Sequence, residues 1–172
     1  MTQAVNLAAV GSNANSGGTL ITSGTAVAST SGTSIDFTGI PAWAKRITVM
    51  FSGVSTNGTS NLLIQVGNSG GIENTGYVSS ANYSTSSSAV SDAGFFILYA
   101  IAASTLTSQG MVVFTNLSGN TWVQNGNMTD SAQRASNSAG SKTLSGTLDR
   151  VRITTVNGTD TFDAGSINIL WE

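Results

Sequence analysis

Alternation of apolar and polar side chains in short runs constrains this chain more than any other feature of its sequence. Val151, Ile153 and Thr155 alternate with Arg152 and Thr154, and Ile167, Ile169 and Trp171 alternate again further on. A period of two marks a strand with one buried face. Between the runs, Asn157-Gly158 is the residue pair that a type I′ hairpin turn prefers. Residues 142–172 are therefore predicted as strand, tight turn, strand. The sequence ends one residue after Trp171. A strand there is expected to be pinned into a sheet, since a free apolar tail would fray or aggregate.

The same pattern recurs upstream. Ser34-Ile-Asp-Phe37 alternates, and Pro41 suits the first position of a short helical turn. Arg46-Ile-Thr-Val-Met-Phe51 places Ile47, Val49 and Phe51 on one face. Asn57-Gly58 lies between that run and Leu62-Leu-Ile-Gln-Val66, as in a hairpin with a longer loop. A weaker strand is predicted around Tyr77, and further strands over 95–99, 111–114 and 121–126. Residues 79–92 and 130–140 read as polar loops, the first long enough to suggest an exposed functional loop. About eight to ten strands at this spacing predict one all-β domain. The expected architecture is an antiparallel, jelly-roll-like β-sandwich over residues 31–172. Residues 1–30, rich in Gly, Ser, Thr, Asn and Ala without periodicity, read as an extended N-terminal arm.

Composition removes several chemistries together. Ser, Thr, Asn and Gly account for 84 of the 172 residues, and charged residues for 8%, against about 25% in an average soluble domain. His and Cys are both absent. Nucleophile pairs that need imidazole or thiolate are thereby excluded, as are His and Cys ligands for zinc, iron or copper. No disulfide can form, so packing or oligomerisation must supply stability. No cofactor is expected. Net charge is −2, and the only close basic groups are Lys45-Arg46 and Arg150-Val-Arg152, which disfavours nucleic acid as a partner. The N-terminus lacks the features of a signal peptide, and no stretch approaches the length of a membrane span. Five Asn-x-Ser/Thr sequons, at Asn57, Asn82, Asn116, Asn127 and Asn157, follow from composition.

Candidate sites are few. Asp160 and Asp163 are close in sequence, but Ca²⁺ wants six to eight oxygens, and Asp in a turn more often accepts backbone hydrogen bonds. Ser141-Lys142 cannot act as a Ser-Lys pair, because neighbours on a strand point to opposite faces. Gly67-Asn-Ser-Gly-Gly71 lacks the Lys-Ser/Thr of a phosphate loop and reads as a turn. Tyr77, Tyr83 and Trp122 lie in or beside the polar loops, where aromatic faces with Asn and Ser neighbours can hold sugar rings. Trp122 fits the core better than the surface, since Val123 follows it and strand faces alternate.

Three segments together resemble a module of tailed-bacteriophage virion-surface proteins, among tail fibres, head fibres and decoration proteins. They are Met1-Thr-Gln-Ala-Val-Asn-Leu-Ala8, the block from Ile35 through Gly39-Ile-Pro-Ala-Trp-Ala-Lys-Arg46 to Phe51, and the closing segment from Leu144. The opening octapeptide resembles the mounting end of phage fibre chains. The chain has neither coiled-coil heptads nor β-helix repeats, so the resemblance implies a head decoration or short fibre. It also implies a homotrimer, synthesised in the host cytoplasm and carried on the virion surface, with other capsid or tail proteins as partners. Val5, Leu7 and Val10 would be its anchoring residues. The alternative is a tail-fibre receptor-binding module that recognises host surface glycans through Tyr77, Tyr83, Trp122 and Arg134. A depolymerase would need a groove with two carboxylates at catalytic separation, and no enzyme is expected.

Overall fold

The computed structural model describes residues 21–83, 88–98 and 103–172. Fourteen strands and no helix make up these residues. In chain order they are β1 (Thr22–Ser23), β2 (Val27–Ala28), β3 (Ser34–Thr38), β4 (Arg46–Thr56), β5 (Leu62–Asn68), β6 (Gly71–Ile72) and β7 (Tyr77–Tyr83). There follow β8 (Ser88–Ser91), β9 (Phe95–Leu98), β10 (Ser108–Ser118), β11 (Thr121–Asp130), β12 (Ala135–Thr143), β13 (Arg150–Thr155) and β14 (Phe162–Trp171). One sheet has nine strands in the order β1-β14-β4-β10-β11-β12-β7-β8, with β2 also on β14. The other has five, β3-β13-β5-β6, with β9 also on β5. Every pairing is antiparallel. The fold is the expected all-β antiparallel sandwich.

Alternation sets which face is buried. Ile47, Val49 and Phe51 of β4 turn inward and meet Trp171, Ile169 and Ile167 of β14 in register. Val112 and Phe114 of β10 continue this inner layer. From the second sheet come Ile64 and Val66 of β5 and Val151 and Ile153 of β13, all fully buried. Strand β9 is buried along its whole length. Phe95 packs edge-on against both Tyr77 and Phe114, at centroid distances of 4.9 and 5.3 Å. Gly140 makes room for that ring: a Cβ there would lie 3.0 Å from Phe95 Cδ1 and 2.5 Å from the Val78 carbonyl oxygen.

Three expectations are corrected. First, Val151–Thr155 and Phe162–Trp171 are strands, but they are not a hairpin. Strand β13 pairs with β3 and β5, and β14 pairs with β4 in the other sheet. The turn between them is not type I′, which needs positive φ at both central residues. The Gly158 N–H donates to the Thr155 carbonyl at 3.0 Å, so Val156 and Asn157 are the central pair, and only Gly158 has positive φ, at 67°. Second, β4 and β5 also cross between sheets and do not pair as a hairpin around Asn57-Gly58. Third, most of the predicted polar loops is strand. Residues 79–92 supply β7 and β8, and 130–140 supply β12. Inward positions there are small, among them Ser79, Ala81, Ser136, Ser138 and Gly140, and the serines are hydrogen-bonded. Ser136 Oγ donates to the Asn82 carbonyl at 2.9 Å, and Gln124 Nε2 donates to Ser138 Oγ at 2.8 Å.

The described part of the arm lies along its own domain. Thr22 and Ser23 pair with Trp171 and Leu170, and Val27 and Ala28 with Ile167 and Ser166. Ser29, fully buried, fastens the path by donating its N–H to Gly165 and its hydroxyl to Ala164.

Candidate functional site

Two surface features emerge at the β7–β8–β11–β12 end of the nine-stranded sheet. The first is a turn built on Asp130, which follows from the ability of Asp to accept backbone hydrogen bonds just downstream of itself. Its Oδ1 accepts from the Ala132 and Arg134 N–H groups at 3.0 and 3.1 Å. Its Oδ2 accepts from Arg134 Nε at 2.7 Å. The carboxylate is buried, and Gln133 takes a left-handed conformation with φ 61° to complete the turn. Arg134 is thereby held with its guanidinium 5.0 Å from the Tyr83 ring centroid. Tyr83 stands on the neighbouring β7, where it pairs with Ser136. Strand pairing thus brings together Tyr83 and Arg134, which are far apart in sequence. Both are partly exposed.

The other two aromatic candidates belong to the core. Tyr77 is 3% exposed and Trp122 4%, so neither ring faces a ligand. Tyr77 Oη donates to the Glu73 carbonyl at 2.7 Å and accepts from the Val66 N–H at 2.9 Å. Burial pushes its phenol well above the ordinary value, although the backbone hydrogen bond at Val66 opposes this. Trp122, Lys142 and Tyr77 line up across β11, β12 and β7 on the inner face. Lys142 Nζ sits 5.3 Å from the Tyr77 ring centroid and 2.7 Å from Glu73 Oε2. Burial alone would raise the Glu73 carboxyl. The hydrogen bonds from Lys142 and Ser145 outweigh it and hold the group below its ordinary value.

Asp160 and Asp163 are employed separately. Asp160 accepts from Asn157 Nδ2 at 2.6 Å and from the Ser60 N–H at 2.9 Å, while Asp163 accepts from the Ser55 hydroxyl. Among the described residues no group of three or more His, Cys, Asp or Glu side chains converges as metal ligands would. Val5, Leu7 and Val10 lie outside the described residues.

The second feature was not visible in the sequence. The outward side chains of β7, β8, β10, β11 and β12 form one face with no charge. The charged residues of these strands, Asp130 and Lys142, are both buried on the inner side. Cross-strand register arranges the face in rows. One runs Met50, Met111, Asn127, Asn137, Asn82, and the next Thr48, Val113, Asn125, Ala139, Ser80, Val90. Val78 is 73% exposed, Val90 80% and Met111 53%. Val78, Val90 and Ala139 line an open groove of about 760 Å³, with Ser80, Ser141 and the exposed Asp92, just beyond the end of β8, beside them. The period-two pattern fixes these residues as outward, but only the strand order sets them side by side. Neither a family model nor a curated protein sequence matches this chain.

Proposed function

We propose that the chain is a structural protein of a bacteriophage virion, a homotrimeric surface knob of head-decoration or short-fibre type mounted through its N-terminal arm. The jelly-roll-like winding belongs to this reading, with β3, β13, β5 and β9 as one wall and the β10–β12 meander widening the other. The observation that carries it is the uncharged outer face of β7, β8, β10, β11 and β12 within the nine-stranded sheet. A solvated antiparallel sheet normally presents polar and charged side chains on its free face. Here valines and a methionine stand among Asn, Ser and Thr, the charge-depleted composition of an interface core. A surface of that kind serves assembly.

The Tyr83–Arg134 stack favours a second reading, in which the module recognises host surface glycans at the β7–β8 end. An aromatic ring held by a guanidinium offers a flat apolar surface with polar edges. The two readings coexist if a mounted knob also touches cells.

Deleting residues 2–20 tests the mounting role. The truncated chain retains every described strand. It is expected to fold with an unchanged β-sheet circular dichroism signal yet to be missing from purified particles. Incorporation at the wild-type level would overturn the anchoring role of the arm.

A further inference from the structure

Lys142, Glu73 and Asn68 are separated in sequence and meet where the two sheets adjoin. Lys142 lies on β12 of the nine-stranded sheet, Asn68 is the last residue of β5 in the five-stranded one, and Glu73 follows β6. One carboxylate joins the other two groups: Glu73 Oε2 meets Lys142 Nζ at 2.7 Å, and Oε1 accepts from Asn68 Nδ2 at 2.9 Å. Lys142 is buried, with its ammonium beside the Tyr77 ring. The Gly70 N–H donates to Asn68 Oδ1 at 2.7 Å and polarises the side-chain carbonyl. An amine, an amide and a shared proton carrier are the parts of a transamidation. We propose that Lys142 and Asn68 join slowly in an intramolecular isopeptide bond, with Glu73 moving the protons, so that the two sheets become covalently linked. Such a bond would serve the fold whatever the chain assembles with.

Each group is placed for one step. Glu73 Oε2 takes a proton from the Lys142 ammonium and leaves a neutral amine, the nucleophilic form. Nζ attacks Asn68 Cγ, and the carbonyl electrons move to Oδ1, where the Gly70 N–H holds the oxyanion. Glu73 passes its proton to Nδ2, on which its Oε1 already lies, and removes one from Nζ. The Cγ–Nδ2 bond breaks, and ammonia leaves as the new amide carbonyl forms. One C–N bond is made and one is broken, so no oxidant or reductant is needed. Asn68, Ser145 and Gly146 line an open groove of about 550 Å³ through which ammonia can leave. Glu73 is the poorer electrophile, because an ionised carboxylate resists nucleophiles. Attack requires Nζ to close to about 3–3.5 Å from Cγ, a movement that the flexible lysine stem allows. The Glu73 carboxyl lies below its ordinary value, so the ion pair is the resting state of the newly folded chain and the bond accumulates with age. A sequence without cysteine cannot tie its sheets by a disulfide, and this bond ties them through groups that reductants do not touch.

The test is mass spectrometry of the intact full chain, purified and then held folded over weeks. The wild type should lose the mass of one ammonia in a fraction that grows with time. Trypsin locates the link, because the basic residues are Lys45, Arg46, Arg134, Lys142, Arg150 and Arg152. Acylated Lys142 resists cleavage, so residues 47–134 and 135–150 should appear as one branched peptide. The Asn-Gly pairs at 57, 125 and 157 can also lose ammonia, as cyclic imides, but that product leaves the 135–142 peptide free. Lys142→Arg, checked for an unchanged β-sheet circular dichroism signal, should never give the branched peptide. Glu73→Gln should give it roughly a hundredfold more slowly. The wild-type result stands without either variant. An aged wild type at full mass, or ammonia loss without the branched peptide, would overturn the bond. Loss of water with Lys142 joined to Glu73 would overturn the choice of Asn68, and an unslowed Glu73→Gln would overturn the role of Glu73.

Discussion

Replacing Lys142 with Met should destabilise the sandwich in a manner that depends on pH. Lys142 is 7% exposed, and its ammonium meets Glu73 at 2.7 Å. The other Glu73 oxygen accepts from Ser145 N–H at 2.8 Å, Ser145 Oγ at 2.7 Å and Asn68 Nδ2 at 2.9 Å. Met fills the aliphatic part of the lysine volume, so the loss is mainly electrostatic. Removing one partner of a fully buried pair costs about 3–5 kcal/mol. Glu73 keeps 20% of its side chain exposed, and water can replace part of the interaction, so about 2 kcal/mol is expected. For a chain of this length that is a fall in Tm of about 4–8 °C.

The sign of the pH dependence follows from Glu73, whose folded carboxyl lies below its ordinary value of 4.5. A depressed carboxyl contributes stability that is complete above the unfolded value and is lost as pH falls through the folded one. Melts followed by circular dichroism at pH 7 and pH 3 should show a large wild-type advantage at pH 7 and a reduced one at pH 3. Adding Glu73→Gln to Lys142→Met should recover part of the loss at pH 7, since no unpaired carboxylate remains. Equal losses at both pH values would refute the electrostatic account and leave packing as the cause.

Two further outcomes follow from the same geometry. Gly140→Ala places a methyl against Phe95 and the Val78 carbonyl. It should lower stability by about 1–3 kcal/mol, as overpacking does, read as a lower Tm. Asp130→Ala removes the acceptor for two backbone N–H groups and for Arg134. It should accelerate amide exchange at residues 132–134 while leaving the β4–β14 core protected.

How far the fold could be read from sequence depended on what filled the inward positions. In β4 and β14 these are Ile, Val, Phe and Trp, and alternation exposed the strands directly. In β7, β8 and β12 they include Ser79, Ala81, Ser136, Ser138 and Gly140, small residues that leave space for β9. Hydropathy could not separate these strands from loops. Sheet membership was hidden as well. Short links such as 157–161 suggested hairpins, but Asn157 here caps a crossover by accepting from Thr155 Oγ1 and the Thr159 and Asp160 N–H groups. Of the candidate site, Tyr83 and Arg134 were named separately, and their contact arises from the β7–β12 register. Tyr77 was drawn to the surface by its polar neighbours, whereas alternation places its ring inside; for Trp122, with Val123 on the other face, alternation already pointed to the core, where it lies. The uncharged face required the order of five strands, β10-β11-β12-β7-β8, and no local pattern carries that.

The central claim, that this is a virion surface protein, is tested most directly by immunogold electron microscopy of purified particles with antibody against residues 31–172. The head-decoration form of the account predicts label over the whole head, and the short-fibre form predicts label at discrete surface points. Label confined to the tail tip would favour the glycan-recognition reading and turn attention to Tyr83 and Arg134. Particles that bind no antibody while the infected cell contains the chain would contradict the account.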